Sequence, residues 1–273
     1  NRGGHDPTKV YAAYYDAINQ TGQPTVILAQ TVKGYGMGSS GESANPSHQV
    51  KKLDLHNLKR FRDRFSIPVT DDELADVPYY NQGADSPESR YLQERRQTLG
   101  GYLPVRRAWK EPLGCPDLDG FKQQLKGTGD RQISTTMAFV RMLSTLVKDK
   151  TIGHRIVPIV PDEARTFGME GMFKQLGIYT TEGQKYIPHD VDQVLSYHED
   201  RAGQILEEGI NESGAFSAWM ACATSYANHN QPLIPFYIYY SMFGHQRVGD
   251  LTWAAGDIQA KNSGYTFEIG QSR

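Results

Sequence analysis

Apolar residues recur along this chain with two periods, and each change of period marks an element. From Pro7 to Gln20 the apolar positions Val10, Tyr11, Tyr14, Ala17 and Ile18 share one face at the spacing of a helix. Gly22–Pro24 turns the chain, and Thr25–Val32 (TVILAQTV) is a continuous apolar run that predicts a buried strand. Asp54–Phe65 returns to helical spacing. Leu55, Leu58, Phe61 and Phe65 form its stripe, and Lys59, Arg60, Arg62 and Arg64 a solvated face. A helix start at Thr70–Glu73 and a helix from Glu88 to Leu99 follow, and Leu103–Pro116, punctuated by proline, is expected to be extended. Thr135–Lys148 reads as a strong helix capped by Ser134 or Thr135, and Arg155–Val160 as a short buried strand. The most informative stretch is Gly203–Asp250. Leu206, Ile210, Phe216, Met220 and Ala223 fall roughly at helical spacing, Asn228–Pro232 breaks the run, and Leu233–Tyr240 is almost wholly apolar or aromatic. The pattern predicts helix, loop and buried parallel strand, with Glu212 near the start of a buried helix.

Composition narrows the class. A chain of 273 residues suits about two domains. It carries 29 basic and 31 acidic residues, so it has no electrostatic footprint for nucleic acid or an anionic membrane. No apolar run approaches the roughly 20 residues of a membrane span. Cys115 and Cys222 are far apart and lack metal-type spacing, which predicts free thiols in a reducing compartment. No internal repeat is visible. The first residues, NRGGHDPTKV, lack an initiating Met and open as if mid-domain, so a fragment is expected.

Candidate chemistry gathers where the predicted strands end. Lys33-Gly34-Tyr35-Gly36-Met37-Gly38 follows the first strand. Backbone amides and an ammonium in such a loop suit phosphate, although glycine turns after strands are common. Ser39–Ser47 is small, polar and unpatterned, reads as a mobile loop, and leads to His48, which by composition alone is a solvated surface histidine. Asp162, Glu163 and Arg165 follow the Arg155–Val160 strand, where open α/β sheets bind ligands; a self-satisfied ion cluster is the equal alternative. An acid in a first helical turn, as Glu212 is, ordinarily complements the helix dipole. Tyr240, Phe243, His245 and Arg247 crowd the end of the last strand.

The surrounding strings add a family. Gly209-Ile210-Asn211-Glu212, the block IPFYIYYSMFGHQRVGDLTWAAGD, the opening RGGHDP with GQPTVILAQTVKGYGMG, and PDEARTFGMEGMF closely resemble the homodimeric, acetyl-transferring pyruvate dehydrogenase component. The resemblance covers about residues 1 to 260. It implies an α/β fold made of parts of two thiamine-diphosphate-binding (transketolase-like) domains with parallel sheets, joined by a long connector. Residues 1–54 would end the diphosphate-binding domain with its active-site loop, 55–130 would be the connector, and 131–273 the start of the pyrimidine-binding domain. The implied reaction is oxidative decarboxylation of pyruvate with acetyl transfer to the lipoyl group of the partner acyltransferase, in a cytoplasmic homodimer. The cofactor, thiamine diphosphate, does the hard chemistry while the protein sets its tautomer and orientation.

Residue by residue, the resemblance implies that Glu212 hydrogen-bonds the aminopyrimidine ring and favours its imino tautomer. Phe243 would stack on that ring, Tyr240 line the substrate side, and Arg247, Asp162 and Glu163 lie at the cofactor pocket. Lys33 would touch the diphosphate. His48, supported by Glu42 and Asn45, would pass the acyl group to the lipoyl domain of dihydrolipoyl acetyltransferase. The cofactor would lie across the dimer interface, with the small residues of Gly214–Ala223 as contact surface. The sequence also departs from the family. Ser43-Ala44-Asn45-Pro46 is less charged than the family loop, His245 replaces an apolar residue, no Gly-Asp-Gly motif occurs, and the tail KNSGYTFEIGQSR diverges. Ligands for Mg2+ are therefore expected upstream, none within this chain, and the chain alone is expected to be inactive. The alternatives are another thiamine enzyme, such as a transketolase or a different 2-oxo acid dehydrogenase, or a non-catalytic dimerising fragment.

Overall fold

The structure is a computed structural model that describes residues 3–102, 107–162, 164–240, 243–261 and 267–269. The chain divides into two compact units, Asn1–Leu99 and Gly100–Arg273. Of the residues that the sequence reads as connector, 55–99 fold within the first unit and 100–130 within the second.

In the first unit, helix α1 (Pro7–Asn19) starts where Asp6 accepts the amides of Thr8 and Lys9, satisfying two first-turn donors. Its apolar face is uncovered, for Tyr11, Tyr14, Tyr15 and Ile18 are all exposed. The strand predicted over Thr25–Val32 does not form. A strand exists through its ladder, and no described segment pairs with this run; Val26 is 81% and Leu28 93% exposed.

Two 3-10 turns, Gly38–Ser40 and Asn45–His48, fall in the segment that the sequence reads as a mobile loop. The Ser43 amide donates to the Lys33 carbonyl at 3.0 Å, and Ser47 Oγ bonds the carbonyls of Gly41 and Ala44. Helix α2 (Leu55–Arg64) begins at Asp54, which accepts the Asn57 amide. Leu58 and Phe61 of the expected stripe point inward, but Leu55 and Phe65 stay exposed. Nor is its basic face merely solvated: Lys59 and Arg62 pair with Asp71, and Arg64 with Glu42. The expected helix start at Thr70–Glu73 yields only a 3-10 turn, Leu74–Asp76. Helix α3 (Pro87–Thr98) closes the unit, capped by Ser86.

The second unit holds, in order, α4 (Lys122–Leu125), α5 (Thr135–Leu146), β1 (Ile156–Val160), α6 (Phe173–Leu176), β2 (Ile178–Tyr179), β3 (Glu199–Asp200), β4 (Leu206–Glu207), α7 (Glu212–His229), β5 (Ile234–Tyr240), α8 (Gly244–Asp257) and β6 (Phe267–Ile269). The main sheet runs β4-β1-β5-β6 with every pair parallel, and β2 and β3 form a small parallel pair of their own. Alternation along the strands builds two cores. Ile156, Val160, Phe236 and Ile238 face α5 and the segment Ala164–Phe173, whereas Ile159, Tyr237 and Tyr239 face α7 and α8. Helices thus cover both faces, as a buried parallel sheet requires.

Helix α7 buries Glu212, Ala215, Phe216, Trp219, Ala223 and Tyr226, a stripe at i+3 and i+4 steps. Two residues expected on it lie elsewhere: Leu206 is in β4, and Ile210 is exposed in the turn before the helix. At Gly244 a side chain is excluded, because a Cβ there would stand 1.9 Å from the Tyr239 ring. Glycine lets α8 start directly against β5.

Candidate active site at the strand ends

Three chain segments meet beyond the carboxyl ends of the parallel strands. After β1, Pro161 accepts the Asn211 amide at 3.3 Å, so the turn carrying Asp162 lies beside the start of α7. Asn211 caps that helix by accepting the Gly214 amide at 3.0 Å. This places Glu212 in the first turn, where it is 8% exposed. After β5, Phe243 precedes α8, and Arg247 occupies the first turn of α8. The strand order, second-first-third-fourth along the chain, puts a topological switch between β1 and β5, the usual ligand crevice of an open α/β sheet.

The side chains there form one connected group. Arg247 Nη1 donates to both carboxylate oxygens of Glu212 at 2.7 Å. Burying a carboxylate is costly unless it is paired, and Arg247, 48% exposed, supplies the counter-charge from the solvent side. The Arg247 guanidinium sits 4.5 Å from the centre of the Phe243 ring. Phe243 meets Tyr240 edge-on at 6.4 Å, and Tyr240 packs on Phe167 at 4.9 Å. Glu212, Arg247, Phe243 and Tyr240, singled out from the sequence, are therefore contiguous. Asp162 lies half-buried at the end of β1, and Glu163 falls outside the described residues.

Lys33 and His48 belong to the first unit. Lys33 is exposed and makes no ion pair among the described residues, directly after the unpaired 25–32 run. His48 is exposed at the end of its 3-10 turn. Glu42, in the same loop, accepts the Gly36 amide at 3.0 Å and Arg64 Nη1 at 2.9 Å. The Gly36 hydrogen bond first, and then the Arg64 charge, hold its carboxyl below the usual range. His245 touches Tyr239 edge-on at 5.6 Å and lies outside the Glu212 group. Among the described residues no cluster of three or more His, Cys, Asp or Glu could hold a metal ion, and no helix is long and apolar enough to cross a membrane.

Two features escaped the sequence reading. The Tyr237 hydroxyl is buried without a hydrogen-bond partner among the described residues. Burial, then the charge of Glu212, pushes its pKa up. A tyrosine inside an aromatic strand reads as core, and only the strand's facing tells it apart. The second is Glu207. Its Oε1 accepts the Ala164 amide at 2.5 Å, and its Oε2 accepts the Tyr197 hydroxyl at 3.1 Å. Ile205–Leu206, between Gly203 and Gly209, is too short an apolar run to announce a strand end.

Helices on both faces of a parallel sheet, with a paired acid and a flat aromatic face beyond the strand ends, define a ligand-binding α/β domain of the doubly wound class. The model of one family, the pyruvate dehydrogenase E1 component middle domain, matches residues 113–271, and the chain belongs to that family. Among similar proteins, the pyruvate dehydrogenase E1 component of Pseudomonas aeruginosa is 64% identical over 260 residues, covering 95% of this chain and 29% of the relative. That of Escherichia coli (strain K12) is 54% identical over 262 residues, 96% of this chain and 29% of the relative. That of Mycobacterium tuberculosis is 52% identical over 264 residues, 95% and 28%. The chain thus spans about 29% of the length of the relatives it matches.

Proposed function

We propose that this chain supplies part of the thiamine diphosphate site of a pyruvate dehydrogenase E1 component. Its reaction is the oxidative decarboxylation of pyruvate, with acetyl transfer to the lipoyl group of a partner acyltransferase. The observation that carries the reading is Glu212, a buried carboxylate at a helix start, linked through Arg247 to the Phe243 ring beyond the ends of parallel strands. The residues suit an aminopyrimidine: the carboxylate accepts, the Phe243 ring offers a flat face, and the buried Tyr237 hydroxyl has hydrogen-bonding capacity to spare. When bound, thiamine diphosphate supplies the nucleophilic carbon and the electron sink for decarboxylation.

In this reading the Glu212 carboxyl shares a proton with a ring nitrogen: it donates when protonated, and its oxygens accept from that nitrogen's N–H in the imino tautomer. Arg247 is its counter-charge until then, and Phe243 orients the ring. Tyr240, at the end of β5, lines the substrate side. Asp162 and Glu163 serve the pocket from the β1 turn. Lys33 is the cation for the diphosphate, supported by its exposed ammonium, which makes no ion pair among the described residues. His48, exposed on a folded turn, faces the incoming lipoyl domain of dihydrolipoyl acetyltransferase. Mg2+, the homodimer with its shared cofactor, and the cytoplasmic setting enter through the family alone.

The test uses a full-length protein carrying this sequence. Glu212→Ala should slow exchange of the thiazolium C–H proton, followed by NMR in deuterated buffer, by about 10²–10⁴-fold. Unchanged exchange would overturn the assignment.

A further inference from the structure

The turn after β1 is held from three sides. Its Pro161 carbonyl takes the Asn211 amide, and its Ala164 amide goes to Glu207. Its Arg165 side chain pairs with Asp190, which also accepts the Tyr197 amide at 2.9 Å. Tyr197 closes the loop of contacts by donating its hydroxyl to Glu207 and packing its ring edge-on against Phe173 at 5.7 Å. Glu207 is the hub. It stands beside Val160 in the sheet register, so its carboxylate lies level with the end of β1. Ala164 is fully buried, and its N–H would otherwise be a buried donor without an acceptor.

We infer that Glu207 is a positioning residue, which fixes Ala164 after the end of β1 and so holds Asp162 beside the start of α7, where it faces the cofactor that Glu212 engages. The inference rests on the proposed thiamine diphosphate site and adds to it a residue that touches neither cofactor nor substrate. A hydrogen-bonded acceptor is what the turn needs here, rather than a negative charge. An amide in place of the carboxylate keeps the acceptor for Ala164, and the Tyr197 hydroxyl, which can donate or accept, adapts to either group.

The experiment compares Glu207→Ala, Glu207→Gln, Tyr197→Phe and Asp162→Ala in a full-length protein carrying this sequence. Thiamine diphosphate binding is read by calorimetry with Mg2+ present, alongside hydrogen exchange at the Ala164 amide. Glu207→Ala should weaken binding about tenfold or more and speed Ala164 exchange by at least as much, because leaving the buried Ala164 donor unsatisfied costs about 1–3 kcal/mol. Glu207→Gln should restore both to within about threefold, and Tyr197→Phe should fall between. Two results overturn the inference: Glu207→Gln as defective as Glu207→Ala, or fast Ala164 exchange with unchanged binding. Asp162→Ala separates the layers. If it weakens binding while Glu207→Ala does not, the positioning role fails and the site stands. If Asp162→Ala binds normally, the cofactor role of Asp162 fails and the inference with it.

Discussion

Tyr237 is 1% exposed, its ring enclosed by Phe216 edge-on at 5.2 Å and by Tyr239 stacked at 4.7 Å. Its ring contributes to the core, but its hydroxyl bonds nothing among the described residues. Removing a buried polar atom that the fold does not satisfy is neutral or stabilising. Tyr237→Phe should therefore match or exceed the parent in thermal stability, by up to about 1 kcal/mol. A clear fall in the melting temperature would mean that the hydroxyl is already satisfied in the free protein. Cys222 shows the opposite use of burial. Burial first, and the charge of Glu208 second, push its thiol up to about 11, so it remains protonated and unreactive near neutrality.

At the scale of elements, one carboxylate ties the loop before α2 to that helix. Glu42 bridges the Gly36 amide and Arg64, whose guanidinium also lies 4.5 Å over the Tyr35 ring. A carboxyl held below its ordinary value of 4.5 stabilises the fold above that pH and loses the contribution as pH falls through the folded-state value. Glu42→Gln should thus lower the stability of the loop at pH 7, by a margin that shrinks as the pH falls through the carboxyl's folded-state value. A margin independent of pH would rule out a charge-dependent role.

Of the long elements of the second unit, α5, α7 and β5 were legible in the sequence, whereas α8 was not read as a helix. Thr135–Leu146 and Ile234–Tyr240 were bounded within a residue or two, because each repeats its period often enough and ends at a cap or a proline. Strand β4 was not legible: two residues cannot display a period of two. Thr25–Val32 failed for the opposite reason, since its pattern was right but a strand also needs a neighbour. In the site, the group of Glu212, Tyr240, Phe243 and Arg247 could be named from motifs. The Glu212–Arg247 bond and the Glu207 clamp could not, because they join residues 35 and 43 positions apart through the sheet.

For the molecule as a whole, the two units differ in what holds them. The second has a core on each face of its sheet. In the first, Leu74 is the one buried aliphatic or aromatic side chain among the described residues, and turns, caps and ion pairs do the rest. That contrast gives Thr25–Val32 a further consequence, for the solution rather than the molecule. Eight residues without a charge, proline or glycine, rich in Val, Ile and Thr, are exposed throughout and join no ladder among the described residues, although the Val32 amide donates to His5. The natural partner for such a segment is the same segment of another copy, stacked in a cross-β array. Concentrated preparations should scatter light and bind thioflavin, and a lysine at Val26 or Leu28, both outward-facing, should raise the onset concentration several-fold by the gatekeeper effect. An onset unmoved by either lysine would place the sticky surface elsewhere. Otherwise, the ceiling on how much of this chain stays dispersed is set by one short run that pairs with no strand among the described residues.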